Sequence, residues 1–96
     1  MVRVIVEHFQ PRRITLFGSY ARGDATPHSD VDLLLEFDEC DDTRVAAVEV
    51  RKELADLAIP KDIVVTTPDQ IRARAHLTWD VLHQANEEGL VLYERD

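Results

Sequence analysis

Three short apolar runs set the tightest limits on how this chain can fold. Residues 13–17 (RITLF), 31–37 (VDLLLEF) and 62–66 (DIVVT) are rich in β-branched and large aliphatic side chains, and Gly, Asp or Pro stands near their ends. Runs of five to seven such residues match buried strands and are too short for helices. The stretches between them carry helix start and stop signals. Segments that alternate in type in this way predict α/β or α+β layering.

The remaining elements follow from punctuation. Residues 2–9 alternate valines as a strand would, yet Ile5 and Phe9 fall on one helical side and Pro11 supplies a stop. A short helix is therefore expected there. Residues 19–23 read as a turn or short helix, and residues 24–29, with Pro27, as loop. Asp41, Asp42 and Thr43 offer N-caps for a helix expected to reach about Leu57. Val45, Val48, Leu54 and Leu57 are expected to form most of its buried stripe. Thr67 can cap the next helix, Pro68 suits its first position, and Gln70 can complete a capping box. That helical sequence is expected to run to a stop at Gly89, with a break near Thr78, and residues 91–93 to add a short edge strand.

Size and charge narrow the function. With 96 residues, one domain over residues 1–96 is expected. A domain of this size buries only roughly 60–65% of the surface its unfolded chain exposes, so a stabilising partner is compatible with it. The chain has 11 basic and 19 acidic side chains, a formal charge of −8. Stable binding to a long nucleic acid is not expected, because that needs clustered Lys and Arg. A small nucleotide arriving with its own Mg²⁺ remains compatible, as does a basic protein partner. Cys40 is the only cysteine, which rules out an intramolecular disulfide or a cysteine zinc cluster. A reducing, cytoplasmic setting fits. No run approaches a transmembrane length, the N-terminal MVRVIVEHF is too short and acidic for a signal peptide, and no membrane association is expected.

Chemistry concentrates at the strand ends. Asp30-x-Asp32 opens the second run, and side chains at i and i+2 of a strand share a face, with Cα atoms roughly 6–7 Å apart. Aspartate is disfavoured in strands, and buried without a partner it is costly. A hard cation with oxygen ligands explains such a pair, and Mg²⁺ takes one or two carboxylates plus phosphate oxygens and water. Asp62 opens the third run. If that strand lies beside the second, three carboxylates can hold two Mg²⁺ about 3.5–4 Å apart for in-line attack on phosphorus, with Asp62 placed to take the proton. Gly18-Ser19 closes the first strand and offers close backbone approach plus amide and hydroxyl donors for phosphate. Arg22 is balanced between a phosphate contact and a surface ion pair. Ser29 is balanced between a phosphate donor and a loop cap. Asp24 reads as a surface residue. His8, His28, His76 and His83 show no metal-ligand spacing. Trp79 reads as core unless it is exposed, which would mark a partner site.

The stretch GSYARGDATPHSDVDLLLEF resembles the signature of the DNA polymerase β-type nucleotidyltransferase superfamily: Gly-Ser, ten residues, then Asp-x-Asp. Ala21-Arg22-Gly23 and Ser29-Asp30 are similar to its minimal, MNT-type branch, and Lys61-Asp62-Ile63-Val64-Val65 resembles the strand of its third carboxylate. The resemblance covers nearly the whole chain. It implies a mixed sheet with helices packed around it, Mg²⁺ dependence and NTP donors. It implies phosphate-binding positions at Gly18 and Ser19, and metal carboxylates at Asp30, Asp32 and Asp62. It also implies a partner, a helical HEPN-type RNase toxin, with the transferase as antitoxin. In some systems that antitoxin acts by placing AMP on a tyrosine of the toxin. The expected function is transfer of an NMP, AMP in the first instance, from an NTP to a hydroxyl of a partner protein, with ATP the expected substrate. Two alternatives stand beside it: an antitoxin that masks the toxin without catalysis, and an antibiotic-type transferase acting on a small molecule.

Overall fold

The computed structural model describes residues 1–74 and 89–95. In chain order the elements are α1 (Val2–Phe9), β1 (Arg13–Phe17), α2 (Ser19–Arg22), β2 (Val31–Glu36), α3 (Thr43–Glu53), β3 (Lys61–Thr66), α4 (Pro68–Arg74) and β4 (Leu90–Glu94). The four strands form one sheet in the order β3-β2-β1-β4. β1 runs antiparallel to both β2 and β4, while β2 and β3 are parallel. Parallel neighbours need a long crossover, and α3 provides it. The sheet is therefore mixed, with helices around it, as the layering and the resemblance predict.

Residues 2–9 form the expected helix despite their alternating valines. It ends at Gln10, which takes a left-handed conformation (φ 52°) and donates its N–H to Val6 O at 3.1 Å. Strand alternation then sorts the sheet's side chains onto two faces. Ile14, Leu33, Leu35, Ile63 and Val65 meet Ile5 of α1 and Ala47, Val50 and Leu54 at α3. Phe17 and Leu34 lie on the other face, with Val64 and Ile71 of α4 against them. Each fully buried Leu, Ile or Val contributes about 1.5–3 kcal/mol, so the first cluster dominates the fold's stability.

α3 differs from its sequence expectation in two ways. It stops at Glu53, with Leu54 as its C-cap, and does not reach Leu57. Its buried stripe is Ala47, Val50 and Leu54, whereas Val45 and Val48 are 53% and 45% exposed. The small Ala47 lets the helix lie close to the sheet, and that choice of face rotates the larger valines away. At its start, Asp42 Oδ1 accepts from the N–H groups of Arg44 (3.0 Å) and Val45 (3.3 Å), an N-cap as expected. At α4 half of the expected capping box is found: Thr67 Oγ1 accepts from Gln70 N–H at 3.3 Å, but Gln70 Oε1 receives the Thr66 hydroxyl at 3.3 Å. The expected run to Gly89, the break near Thr78, Trp79, His76 and His83 lie outside the described residues.

β4 is an edge strand, as expected, and longer than residues 91–93. Its end is clasped by charge: Arg95 and Arg12 both reach Asp38, and the Arg95 hydrogen bond chiefly holds that carboxyl below its ordinary range. Among the described residues no helix is long and apolar enough to cross a membrane.

Candidate active site

β1 must leave the sheet at Phe17, and Gly18 makes the exit possible. Gly18 has φ 77° and ψ −154°, a region open essentially to glycine alone. A Cβ at this position would collide with Asp32 Oδ2. The Asp32 carboxylate thus lies directly over the Gly18 backbone. α2 begins at the next residue, Ser19, and the first N–H groups of a helix have no intrahelical acceptors.

The sheet register brings the carboxylates together. Phe17 stands opposite Asp32 across the antiparallel pair, and Asp32 is level with Asp62 across the parallel pair. Adjacent strands are about 4.8 Å apart, so Asp32 and Asp62 leave neighbouring strands at one level and on one face. Asp30 sits just before β2, two residues before Asp32 and in the same alternation. Gly18, Ser19, Asp30, Asp32 and Asp62 therefore lie toward one end of the sheet, with Asp32 and Asp62 on the face opposite the main core.

Electrostatics mark Asp32 as the centre of this group. Its pKa is raised, first by burial, then by repulsion from Asp62 and from Asp30, while Arg22 pulls it down. Negative charge at this point is only partly compensated. Arg22 Nε lies 3.3 Å from Asp24 Oδ2, so Arg22 serves a surface ion pair and also acts on Asp32. Ser29 fastens its own loop: its Oγ accepts from Thr26 N–H at 2.8 Å and lies 3.2 Å from Thr26 Oγ1. His28 donates its N–H to Thr26 Oγ1 at 3.3 Å, and Asp24 is an exposed residue.

Asp62 is engaged elsewhere in this conformation. Arg51 Nη2 of α3 lies 3.4 Å from Asp62 Oδ1 and 3.3 Å from the Ile63 carbonyl oxygen. Among the described residues no three His, Cys, Asp or Glu side chains are grouped so that they could hold a metal ion. The strand register brings Asp32 and Asp62 level, but the three carboxylates are not grouped around one point in this conformation, and the third is turned toward an arginine at the sheet edge. Arg51 goes unflagged by the sequence. The one available signal is a basic residue in the last turn of the helix that leads into Asp62's strand.

The stability of the metal-free protein reads out the burial of Asp32 and its repulsion by Asp62 and Asp30. A carboxyl with a raised folded pKa costs stability once pH rises past its ordinary value, and costs nothing well below it. Asp32→Asn is therefore expected to melt at the same or a higher temperature than wild type at pH 7 with EDTA present, with the difference closing in acid. Thermal melts across pH check this. A large loss of stability at pH 7 would make Asp32 a structural residue.

Known proteins resemble this chain in sequence and in fold. The family model described as "Nucleotidyltransferase domain" matches residues 1–92. A protein of Methanocaldococcus jannaschii is 33% identical over 82 residues, covering 85% of this chain and 78% of that protein. The protein adenylyltransferase MntA of Thermococcus cleftensis is 54% identical over 33 residues, 34% of this chain and 33% of that protein. Matches to three further curated relatives span 37%, 10% and 64% of those proteins' own lengths. Among solved structures, a toxin–antitoxin with AMP-PNP superposes with a TM-score of 0.71 at 24% identity, over 99% of this chain and 71% of that one. A match of this extent to the family model, with a relative aligned over most of both chains beside it, places the chain in the nucleotidyltransferase domain family.

Proposed function

We propose that the protein is a Mg²⁺-dependent adenylyltransferase that moves AMP from ATP to a hydroxyl of a partner protein, and that it thereby acts as antitoxin to a helical HEPN-type toxin. One observation carries the catalytic part: Asp32 and Asp62 stand level on adjacent parallel strands, with Asp32 over a glycine that leaves no room for a side chain.

The donor set fits a hard divalent cation. Asp30, Asp32 and Asp62 offer carboxylate oxygens only, and the burial and the repulsion that together raise Asp32 are what a bound cation would offset. These three residues would hold Mg²⁺, with two ions expected. When bound, Mg²⁺ neutralises charge on the triphosphate and acidifies the attacking hydroxyl. The chain's own groups do the rest. Gly18 admits a phosphate close to the backbone, and the Ser19 amide and hydroxyl donate to its oxygens. Arg22 lies beside this group as a counter-charge. The acceptor oxygen attacks the α-phosphorus, a new O–P bond forms, the bond to pyrophosphate breaks, and Asp62 takes the hydroxyl proton. Asp62 is free for that work once Arg51 releases it. The choice of AMP is supported by the name of the Thermococcus relative and by the AMP-PNP in the structural neighbour. The toxin partner is supported by that neighbour being a toxin–antitoxin. A reducing, cytoplasmic setting accords with a single cysteine.

Mass spectrometry of a HEPN-type partner incubated with this chain, ATP and Mg²⁺ tests the reading. The expected result is a partner heavier by one or more AMP units. An unmodified partner, with wild type and the Asp30→Asn, Asp32→Asn double variant protecting cells equally from the toxin, would replace transfer with masking. Adenylylation of an aminoglycoside and not of the partner would favour the small-molecule alternative.

A further inference from the structure

A groove of about 710 Å³ runs along the outer edge of β3, and it includes Asp62 but none of Gly18, Ser19, Asp30 or Asp32. Its far wall is one side of α3, made by Arg44, Val48 and Arg51. The strand that floors it has main-chain groups to offer. Val31 N–H donates to Pro60 O at 2.9 Å, and Phe37 N–H to Thr66 O at 3.0 Å. Residues of β3 in that alternation therefore turn their peptide groups toward β2, and Ile63 and Val65 turn theirs outward. The Arg51 guanidinium reaches the Ile63 carbonyl from that outer side. Among the described residues no strand pairs with this edge.

We propose that this groove is the acceptor channel, and that it takes an extended peptide added alongside β3 with its hydroxyl at Asp62. The inference rests on the transfer reading above and names the form its substrate takes. Strand addition supplies affinity through the Val65 peptide groups, the Ile63 N–H and, once Arg51 leaves it, the Ile63 carbonyl, and flanking side chains supply selectivity. Val48 is 45% exposed beside the edge and offers an apolar contact. Asp62 lies at one end of the groove, and Asp41 and Asp42 line it beside the start of α3. Asp62 to Thr66 is four residues, about 13 Å of strand. The preferred peptide therefore carries Lys or Arg about four residues from its hydroxyl, facing the Asp41–Asp42 end. Acceptor and nucleotide then approach Asp62 from different sides: the peptide from the sheet edge, the nucleotide from Gly18-Ser19. The acidic end and the overall charge of −8 favour a peptide over RNA.

The test uses the full ¹⁵N-labelled chain and synthetic peptides of about ten residues. Each peptide holds one Ser, Thr or Tyr with Lys about four residues to either side, and matched peptides carry Glu in place of Lys. The expected result is shifts at the amides of Val48, Ile63 and Val65 with the Lys peptides, and affinity weakened about tenfold or more in Val48→Lys, whose fold is checked from its amide spectrum. Peptides that leave these amides unmoved, or single-stranded RNA that moves them when peptides do not, would overturn the channel. Incubation with α-labelled ATP and Mg²⁺ separates the two readings. A labelled hydroxyl with unmoved groove amides overturns the channel alone. Peptide seated in the groove with no label on any hydroxyl, peptide or partner, overturns the transfer reading and the acceptor role with it.

Discussion

Asparagine at both Asp30 and Asp32 is expected to lower nucleotidyl transfer by at least about 10³-fold while the chain stays folded. Charge stabilisation by a bound divalent cation is worth several kcal/mol, and each 1.36 kcal/mol is about tenfold in rate. Removing two of three carboxylates removes the ligand set, not a single contact. Neither residue belongs to the hydrophobic core, and Asp32 is repelled by its neighbours in the metal-free protein, so folding has little to lose. Initial rates with α-labelled ATP, beside thermal melts, check both halves. A double variant within about tenfold of wild type would remove the carboxylates from the mechanism.

Gly18→Ala is expected to be nearly as damaging, for a steric reason. Its backbone angles carry a cost of order 1–3 kcal/mol for a side-chain-bearing residue. Its new methyl would also meet Asp32 Oδ2 inside contact distance, so Asp32 must move. A displacement of about 1 Å at a reacting group can cost about 10²-fold. The expected outcome is therefore both a lower melting temperature and a transfer rate down by about 10² or more. Gly23→Ala is the control. Gly23 also has a positive φ of 83°, but nothing lies within 4 Å of its added Cβ. That variant should lose roughly 1–2 kcal/mol of stability and keep its transfer rate. Equal loss of activity in the two variants would mean that strain at α2, and not the Gly18–Asp32 contact, is responsible.

The parts of this site legible in the sequence are those set by strand periodicity. Asp30 and Asp32 share a face because side chains alternate along a strand, and Gly18 ends its strand because glycine alone accepts those angles. Asp62 is legible as a strand start but not as a neighbour. Its level with Asp32 depends on β3 pairing parallel to β2 through the α3 crossover, which no local pattern reports. The same limit hides Arg51. Its contact with Asp62 spans 11 residues and exists because β3 is the outer strand, where a helix on one face can reach around the edge. α3 shows a different failure. Residue-by-residue hydrophobicity favours Val45 and Val48 as core, but packing distance favours Ala47, and the face that seats Ala47 leaves both valines in solvent. That exposed side of α3 is what leaves Val48 beside the edge of β3. Ser29 reads equally as a phosphate donor and as a loop cap, and its bonds to Thr26 fasten the loop before β2.

Divalent cation binding tests the central claim most directly. Mn²⁺ can replace Mg²⁺ in such carboxylate and phosphate sites and is counted by electron paramagnetic resonance. With AMP-PNP present, wild type is expected to hold about two Mn²⁺ per chain, one more than the free nucleotide holds, and Asp32→Asn to lose this additional binding. The exposed Asp24→Asn variant should match wild type. Mn²⁺ binding that is no greater than that of AMP-PNP alone, or that survives Asp32→Asn undiminished, would contradict the account.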